Sequence, residues 1–355
     1  MTVKEIAKLA GVSIGTVDRV LYQRGRVSAD TRAKVKKIIE TYQFTPNPIA
    51  RRLKRNRSYH FCALIPRRDQ DAGYWEQAIA GLKTGAGEVS PLGVETEIIE
   101  YDRYNMEEVL AKMETSMAKS PDGMIFAPNI RIKQLVPEIR EKQIPYIFFD
   151  SDYPEMEPLC TISQDPIRGG YLAGRLMSLF ARSASAAERG KQLEKPVAIL
   201  DAHCEDYHII QRRNGFLQYA EEHNIPTVVK EYSEEGELTE NEITALLERR
   251  RDLAGFFVTN SLAHRVAQTV KDLGVREKSE KCVVIGYDLT ANNRLLLKEG
   301  FIDAIISQRP EEQGRLAVIN LYRHIVLEQR IESKIEMPLD VYIKENIVGT
   351  PQDPL

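Results

Sequence analysis

The sequence predicts an α/β protein in which a small all-α head is joined by a short connector to a two-lobed core of parallel sheets. Three observations predict it. Residues 1–60 hold 14 Lys+Arg against 4 Asp+Glu, and the chain totals of 49 and 52 leave 35 against 48 for the remainder. The basic part has helix caps and apolar residues at helical spacing. From His60 onward, short apolar runs alternate with amphipathic segments, which is the pattern of a βαβ series.

A chain of 355 residues, 43% hydrophobic and 28% charged, is long enough for two or three folding units. It contains no apolar run of about 18 residues and no secretory leader, so a cytoplasmic protein without membrane association is expected. Cys62, Cys160, Cys204 and Cys282 are widely spaced and form no CxxC pair, which fits free thiols in a reducing compartment. A small basic head on a large acidic body points to a polyanionic partner for the head alone.

In the head, Thr2 and Glu5 form a capping box, and Ile6, Ala7, Leu9 and Ala10 follow before Gly11 breaks the helix. Ser13 caps a second helix whose Val17, Val20 and Leu21 face inward. Ser28 caps a third, with Val35, Ile38 and Ile39 at helical spacing. Ala7, Gly11 and Val17 supply what a helix-turn-helix needs: a small residue at the crossing, a glycine at the reversal and an apolar plug. With the basic excess, this pattern points to DNA. Pro46 and Pro48 end the third helix, and "IARRLKRNR" is a short basic segment expected to order on DNA. Leu53, apolar among arginines, suits a wedge between base steps in the minor groove.

In the body, strands are expected at "FCALI", "VETEIIEY", "GMIFAP", "YIFFD", "VAILDA", "TVVKEY", "GFFVTN", "CVVIGYD" and "AIISQ". Helices are expected over 75–88, 106–119, 131–142, 168–182, 209–223, 240–251, 262–273 and 310–329. In such sheets ligands sit beyond the carboxyl ends of strands. The residues there are Arg67, Arg68 and Asp71, then Tyr74 and Trp75, and further on Asp150, Arg212, Asn260, Asp288 and Gln308. Planar polar groups beside the single Trp are suited to a carbohydrate, whose hydroxyls they chelate while the ring covers C–H surface. Each strand-end Asp or Asn also has a plainer reading as a helix cap. Arg67 or Arg68, if turned into the cleft, implies an effector bearing phosphate or carboxylate; Asp150 and Asp288 favour a neutral one.

Other constellations are weaker. "HCEDYH", with His203, Cys204 and His208, matches no strong zinc spacing, and "GLKTGAG" lacks the GK[ST] of a phosphate loop. Asp150 and Asp288 form a carboxylate pair of the kind glycoside hydrolysis uses, but a DNA-binding head would be odd on a hydrolase. No metal, cofactor or catalytic residue is expected.

The run from "VKEIAKLAGVSIGTVDRVL" through "VSADTRAKV" to "TPNPIARRL" resembles the head and hinge of the LacI/GalR family of bacterial repressors. "QRRNGF", "VIGYD" and "SQRPEEQGRLA" are similar to motifs of that family's periplasmic-binding-protein-like core. The resemblance implies a helix-turn-helix domain over 1–46, a hinge over 47–59 and an effector-binding, dimerising core over 60–355. It places lobe crossovers near 163–166, 304–310 and 328–335. It puts Ile14 and Gly15 at base-reading positions with Thr16 and Arg19 nearby, and Ala50 and Leu53 on a hinge helix with Leu53 intercalating. Thr2, Lys4, Ser13, Asn47, Arg51 and Lys54 complete the expected DNA-contacting set. Arg212, Asp288 and Gln308 match effector-contacting positions, with Asn260 and Asp150 close behind and Tyr74 and Trp75 near the aromatic ones. Gly15 has no side chain and Ile14 offers only apolar contact, so this recognition helix reads few bases by hydrogen bonds. Asp18, Ser261 and the longer segment 182–195 depart from the family pattern.

The expected protein is therefore a ligand-responsive regulator, a repressor that binds a pseudo-palindromic operator as a homodimer and senses a sugar or sugar derivative between its lobes. A phosphorylated or acidic metabolite, or a protein partner, is the alternative signal. A sugar-converting enzyme and a solute-binding protein are the remote alternatives. The ending "ENIVGTPQDPL" carries no heptads, so a dimer is expected and not a tail-linked tetramer.

Overall fold

The computed structural model describes residues 1–21, 25–42, 44, 57–129, 132, 137, 139–181, 193–202, 205–232, 240–250, 253–275 and 282–347. The hinge residues Asn47, Ala50, Arg51, Leu53 and Lys54, half of the helix expected over 131–142, and Cys204 lie outside them.

The head consists of α1 (Val3–Ala10), α2 (Ile14–Leu21) and α3 (Ala29–Thr41). The capping box is present: the Thr2 N–H donates to Glu5 Oε2 at 2.7 Å and the Glu5 N–H to Thr2 Oγ1 at 3.2 Å. Gly11 ends α1 at φ +68°, a left-handed conformation that costs glycine nothing. Ile6, Ala7, Ala10, Val17, Val20 and Val35 close a small core.

The body has two sheets of one design. The first contains β1 (Tyr59–Pro66), β2 (Val94–Tyr101), β3 (Gly123–Phe126), β4 (Tyr146–Phe149), β5 (Cys160–Ser163) and β11 (Lys334–Glu336), in the order β11-β5-β4-β3-β1-β2. The second contains β6 (Val197–Ala202), β7 (Thr227–Tyr232), β8 (Gly255–Val258), β9 (Val283–Tyr287), β10 (Ala304–Ser307) and β12 (Asp340–Tyr342), in the order β12-β10-β9-β8-β6-β7. Every pairing is parallel except that of β12 with β10. The helices are α4 (Tyr74–Val89), α5 (Met106–Ala118), α6 (Pro166–Ala181), α7 (Tyr207–Glu222), α8 (Glu240–Arg249), α9 (Ala263–Asp272), α10 (Ala291–Glu299) and α11 (Pro310–Ile325). β5, β11, β12 and α10 are absent from the sequence expectations. The three strands are only three or four residues long, and α10, "ANNRLLLKE", is largely polar.

The lobes exchange chain segments. α6 follows β5 of the first sheet but packs in the second lobe, on α7; α11 follows β10 of the second sheet but packs on α4 of the first. Both helix pairs are close enough to require glycine. A Cβ on Gly81, in the "GLKTGAG" run, would lie 1.9 Å from Glu311 O, and one on Gly170 would lie 1.8 Å from Arg212 O. Gly81 and Gly85 of that run therefore serve helix packing. The third crossing differs from the expected 328–335: β11 still pairs with β5, β12 pairs with β10, and the chain changes lobe at 337–339. One side chain ties all three crossings, since Gln164 Nε2 donates to Ser307 O at 2.6 Å and to Pro338 O at 2.7 Å.

Cys62, Cys160 and Cys282 are buried. Among the described residues no helix is long and apolar enough to cross a membrane.

Candidate functional site

The two lobes place equivalent aspartates at the carboxyl ends of β4 and β9. Asp150 has φ +72° and Asp288 φ +66°, a region that Asp tolerates better than most side chains. Each is held by its own N–H: Asp150 donates to Ile162 O at 3.0 Å and Gln313 Oε1 at 2.7 Å, and Asp288 to Ile306 O at 2.9 Å. Their carboxylates line one inter-lobe cavity. The Tyr74 hydroxyl, on the first turn of α4, donates to Asp150. Trp75 Nε1 donates to Asp71 Oδ2 at 2.6 Å, and the Tyr74 and Trp75 rings meet edge to face at 4.9 Å.

The second lobe supplies a buried guanidinium. Arg212 on α7 donates from Nη1 to Thr259 O at 2.8 Å and lies 3.7 Å over the Tyr287 ring, while its Nε has no partner. Asn260 combines both readings of a strand-end residue. Its Oδ1 accepts from the Leu262 N–H at 3.1 Å, as a cap would, and its buried Nδ2 is left unpaired. Gln308 Nε2 donates to Asp288 Oδ1 at 2.9 Å, leaving Gln308 Oε1 buried and unpaired. Unpaired buried donors and acceptors beside a cavity are what an absent ligand would satisfy.

Contacts across the cleft close it. Arg103, just past β2, donates to Asp71 of its own lobe at 2.5 Å and to Asp206 of the other at 2.6 Å. Ser261 Oγ donates to Asp71 O at 2.8 Å, and His208 shares a 2.9 Å hydrogen bond with Ser151. The cavity is about 30 Å3, room for roughly two waters; a sugar ring enters only if the lobes part or side chains turn. Four carboxylates and two guanidiniums line it: Asp71, Asp150, Asp206 and Asp288 against Arg103 and Arg212. Burial pushes Asp150 up to about 6 and Asp288 up to about 7, although Arg212 draws both back. Burial also holds the Tyr74 hydroxyl well above its usual range, reinforced by Asp150 and Asp288.

Of the side chains expected here, Asp71, Tyr74, Trp75, Asp150, Arg212, Asn260, Asp288 and Gln308 line the cavity. Arg67 does not. It is half exposed and bound to Glu108 at 2.7 Å and Asp102 at 3.5 Å, while its neighbour Arg68 pairs with Glu100. Tandem arginines at a strand end found carboxylates on the surface, nearer than the cleft. Arg103, Asp206, His208 and Ser261 line the cavity without having been expected. Arg103 lies beyond a strand end and was open to the same rule that selected Asp150. Asp206 and His208 come from "HCEDYH", whose His203 and Cys204 lie outside the described residues.

On the head, Thr2, Lys4, Ser13, Ile14, Gly15 and Arg19 are exposed. Ile14 is 45% exposed at the start of α2. Thr16 is half-buried; its hydroxyl meets Ser13 Oγ at 2.9 Å and its N–H donates to the same atom at 3.1 Å, so Ser13 caps α2. A Cβ on Gly15 would meet only Ser13 Oγ, at 3.8 Å, so this position has room for a side chain.

Residues 2–47 match the family described as bacterial regulatory proteins, lacI family, and residues 62–329 match the periplasmic binding protein domain. The chain is 28% identical over 298 residues to the HTH-type transcriptional regulator DegA of Bacillus subtilis, covering 81% of this chain and 82% of that protein. It is 25% identical over 358 residues to the HTH-type transcriptional repressor PurR of Photorhabdus laumondii, covering 99% and 98%. Among solved structures it is similar to GanP, a glucose-galactose binding protein from Geobacillus stearothermophilus, with a TM-score of 0.69 and 25% identity over 82% of this chain and 99% of that one. The chain belongs to the lacI family of bacterial regulatory proteins, with a DNA-binding helix-turn-helix head on a periplasmic-binding-protein-like core.

Proposed function

We propose that this protein is a transcriptional repressor that binds a pseudo-palindromic operator as a homodimer and responds to a neutral sugar or sugar derivative between its lobes. The observation that carries the effector reading is the composition of the cavity: unpaired Asn260 and Arg212 donors, the Gln308 acceptor and the two carboxylates Asp150 and Asp288. Hydroxyls donate to and accept from such a set, and Tyr74 and Trp75 provide ring surface. An anionic effector is disfavoured because carboxylates outnumber guanidiniums four to two and Arg67 and Arg68 are engaged on the surface. GanP, a sugar-binding protein of the same fold, supports a carbohydrate. Ile14, Gly15 and Arg19 are the base-reading candidates, with Thr2, Lys4, Ser13 and Thr16 around them. The hinge, through Asn47, Ala50, Arg51, Leu53 and Lys54, would enter the minor groove at the operator's centre.

Calorimetric titration with neutral monosaccharides, sugar phosphates and sugar acids tests the effector. Affinity for a DNA sequence selected from a random pool is then measured at fixed salt with and without the bound compound. Heat from anionic compounds alone would reject the neutral reading. A bound sugar that leaves DNA affinity unchanged would reject the coupling, which must be reciprocal. Conversion of the sugar to product would favour the enzyme alternative.

A further inference from the structure

Near the start of β1, away from the strand ends that form the cleft, the first sheet gathers three metal-ligating side chains. His60 and Cys62 are two residues apart on β1 and share a face. Glu97 on β2 stands opposite Cys62 in the parallel register. The donor atoms form a triangle: His60 Nε2 to Glu97 Oε2 is 3.5 Å, Cys62 Sγ to His60 Nε2 is 3.9 Å, and Cys62 Sγ to Glu97 Oε2 is 4.0 Å. Among the described residues this is the one group of three or more His, Cys, Asp or Glu whose ligand atoms lie close enough to hold an ion.

A tetrahedral zinc site with the usual Zn–N, Zn–O and Zn–S lengths has edges of about 3.4–3.6 Å between ligand atoms. The triangle exceeds those edges by about 0.5 Å at most, a gap that side-chain rotation closes without backbone movement. We propose that His60, Cys62 and Glu97 form a binding site for a Zn2+-class cation, with water in the fourth position. The N, S, O donor set favours such an ion over Mg2+ or Ca2+, which prefer oxygen alone. Access is open on one side, since the His60 and Glu97 side chains are 25% and 34% exposed, while Cys62 is fully buried behind them.

Two adjustments accompany binding. Lys119 Nζ contacts both Glu97 carboxylate oxygens, at 2.6 and 2.7 Å, and must release Oε2. It is a half-exposed lysine on a flexible stem, so its displacement costs little. The Cys62 S–H bond breaks as the metal–sulfur bond forms, and its proton leaves to solvent. The site is separate from the effector cleft, so the two readings stand or fall independently.

The test uses the full chain, without an affinity tag and treated with a chelator, titrated with Co2+ and then Zn2+. The expected result is one Co2+ per chain, with the visible absorption of a tetrahedral ion and a thiolate charge-transfer band, both removed by Zn2+. His60→Ala and Cys62→Ala should lower metal affinity roughly 100-fold or more, while Cys160→Ala, Cys204→Ala and Cys282→Ala leave it unchanged. Circular dichroism checks the fold of each variant; if Cys62→Ala does not fold, the half-buried His60→Ala and Glu97→Gln carry the test. Absence of the tetrahedral spectrum overturns the proposal. So does a spectrum that survives His60→Ala and Glu97→Gln, or one lost in Cys204→Ala instead.

Discussion

Arg103 of the first lobe and Asp206 of the second are joined across the cleft at 2.6 Å, with side chains 5% and 2% exposed. The same guanidinium holds Asp71 at 2.5 Å, so one cation serves a carboxylate from each lobe. Bringing three charged groups out of water is costly, and close pairing offsets the cost only while all three remain. Arg103 therefore links closure of the lobes to charge balance inside the cleft.

Replacing Arg103 with Met should leave Asp71 and Asp206 buried without the cation they share. The expected loss is about 3–5 kcal/mol if the lobes stay shut, and less if they open to let water in. Melting curves and small-angle scattering separate these outcomes. Arg103→Met combined with Asp206→Asn should recover part of the loss; equal loss in both would argue against the ion pair.

Asp288 and Asp150 bear on stability through pH. Burial raises Asp288 to about 7 and Asp150 to about 6, above their unfolded values. Between about pH 4 and about pH 7 the native chain keeps protons that the unfolded chain has lost, so this contribution is largest at low pH and declines as pH rises. The slope is at most about 1.4 kcal/mol per pH unit for each carboxyl. Asp288→Asn removes one of them. Its melting temperature relative to the unsubstituted chain should rise from about pH 5 to about pH 7.5; a constant difference would mean that Asp288 is ionised throughout.

For effector binding, Arg212→Lys is the informative change, because a lysine lacks the planar fork and the stacking surface that Arg212 lays on Tyr287. Effector affinity should fall at least about tenfold, the equivalent of one hydrogen bond to a charged group. DNA binding without effector should be kept. Calorimetry and anisotropy read the two; undiminished effector affinity would remove Arg212 from the site.

Helix packing supplies a paired test. A Cβ at Gly170 would strike Arg212 O, whereas one at Gly87, on α4, meets nothing within 4 Å. Gly170→Ala should cost about 1–3 kcal/mol by forcing α6 from α7. It should also weaken effector binding through the displaced Arg212. Gly87→Ala should stabilise by about 0.5–1 kcal/mol. Equal melting temperatures for the two variants would contradict the packing.

At Gly15 the head has room for a side chain. Gly15→Gln should leave the fold intact and add a base preference at one operator position, because Gln pairs with adenine in the major groove. Selection from a randomised DNA pool reads this. Identical preferences before and after substitution would place Gly15 away from the bases.

The sequence by itself determined the three-helix head, the βα alternation and most of the cleft. Caps such as Thr2 and Ser13, and strand ends such as Asp150 and Asp288, are local signals carried by spacing within a few residues. It did not determine which strand ends turn inward. Arg67 after β1 and Arg103 after β2 carry the same local signal, yet Arg67 pairs with Glu108 on the surface while Arg103 reaches Asp206 of the other lobe. Gln164, which ties the three crossings, and Cys62 beside Glu97 likewise depend on partners far along the chain. Hydrophobic period and capping act over one or two turns. Strand register and lobe closure are set by the whole packed chain, so tertiary structure alone decided them.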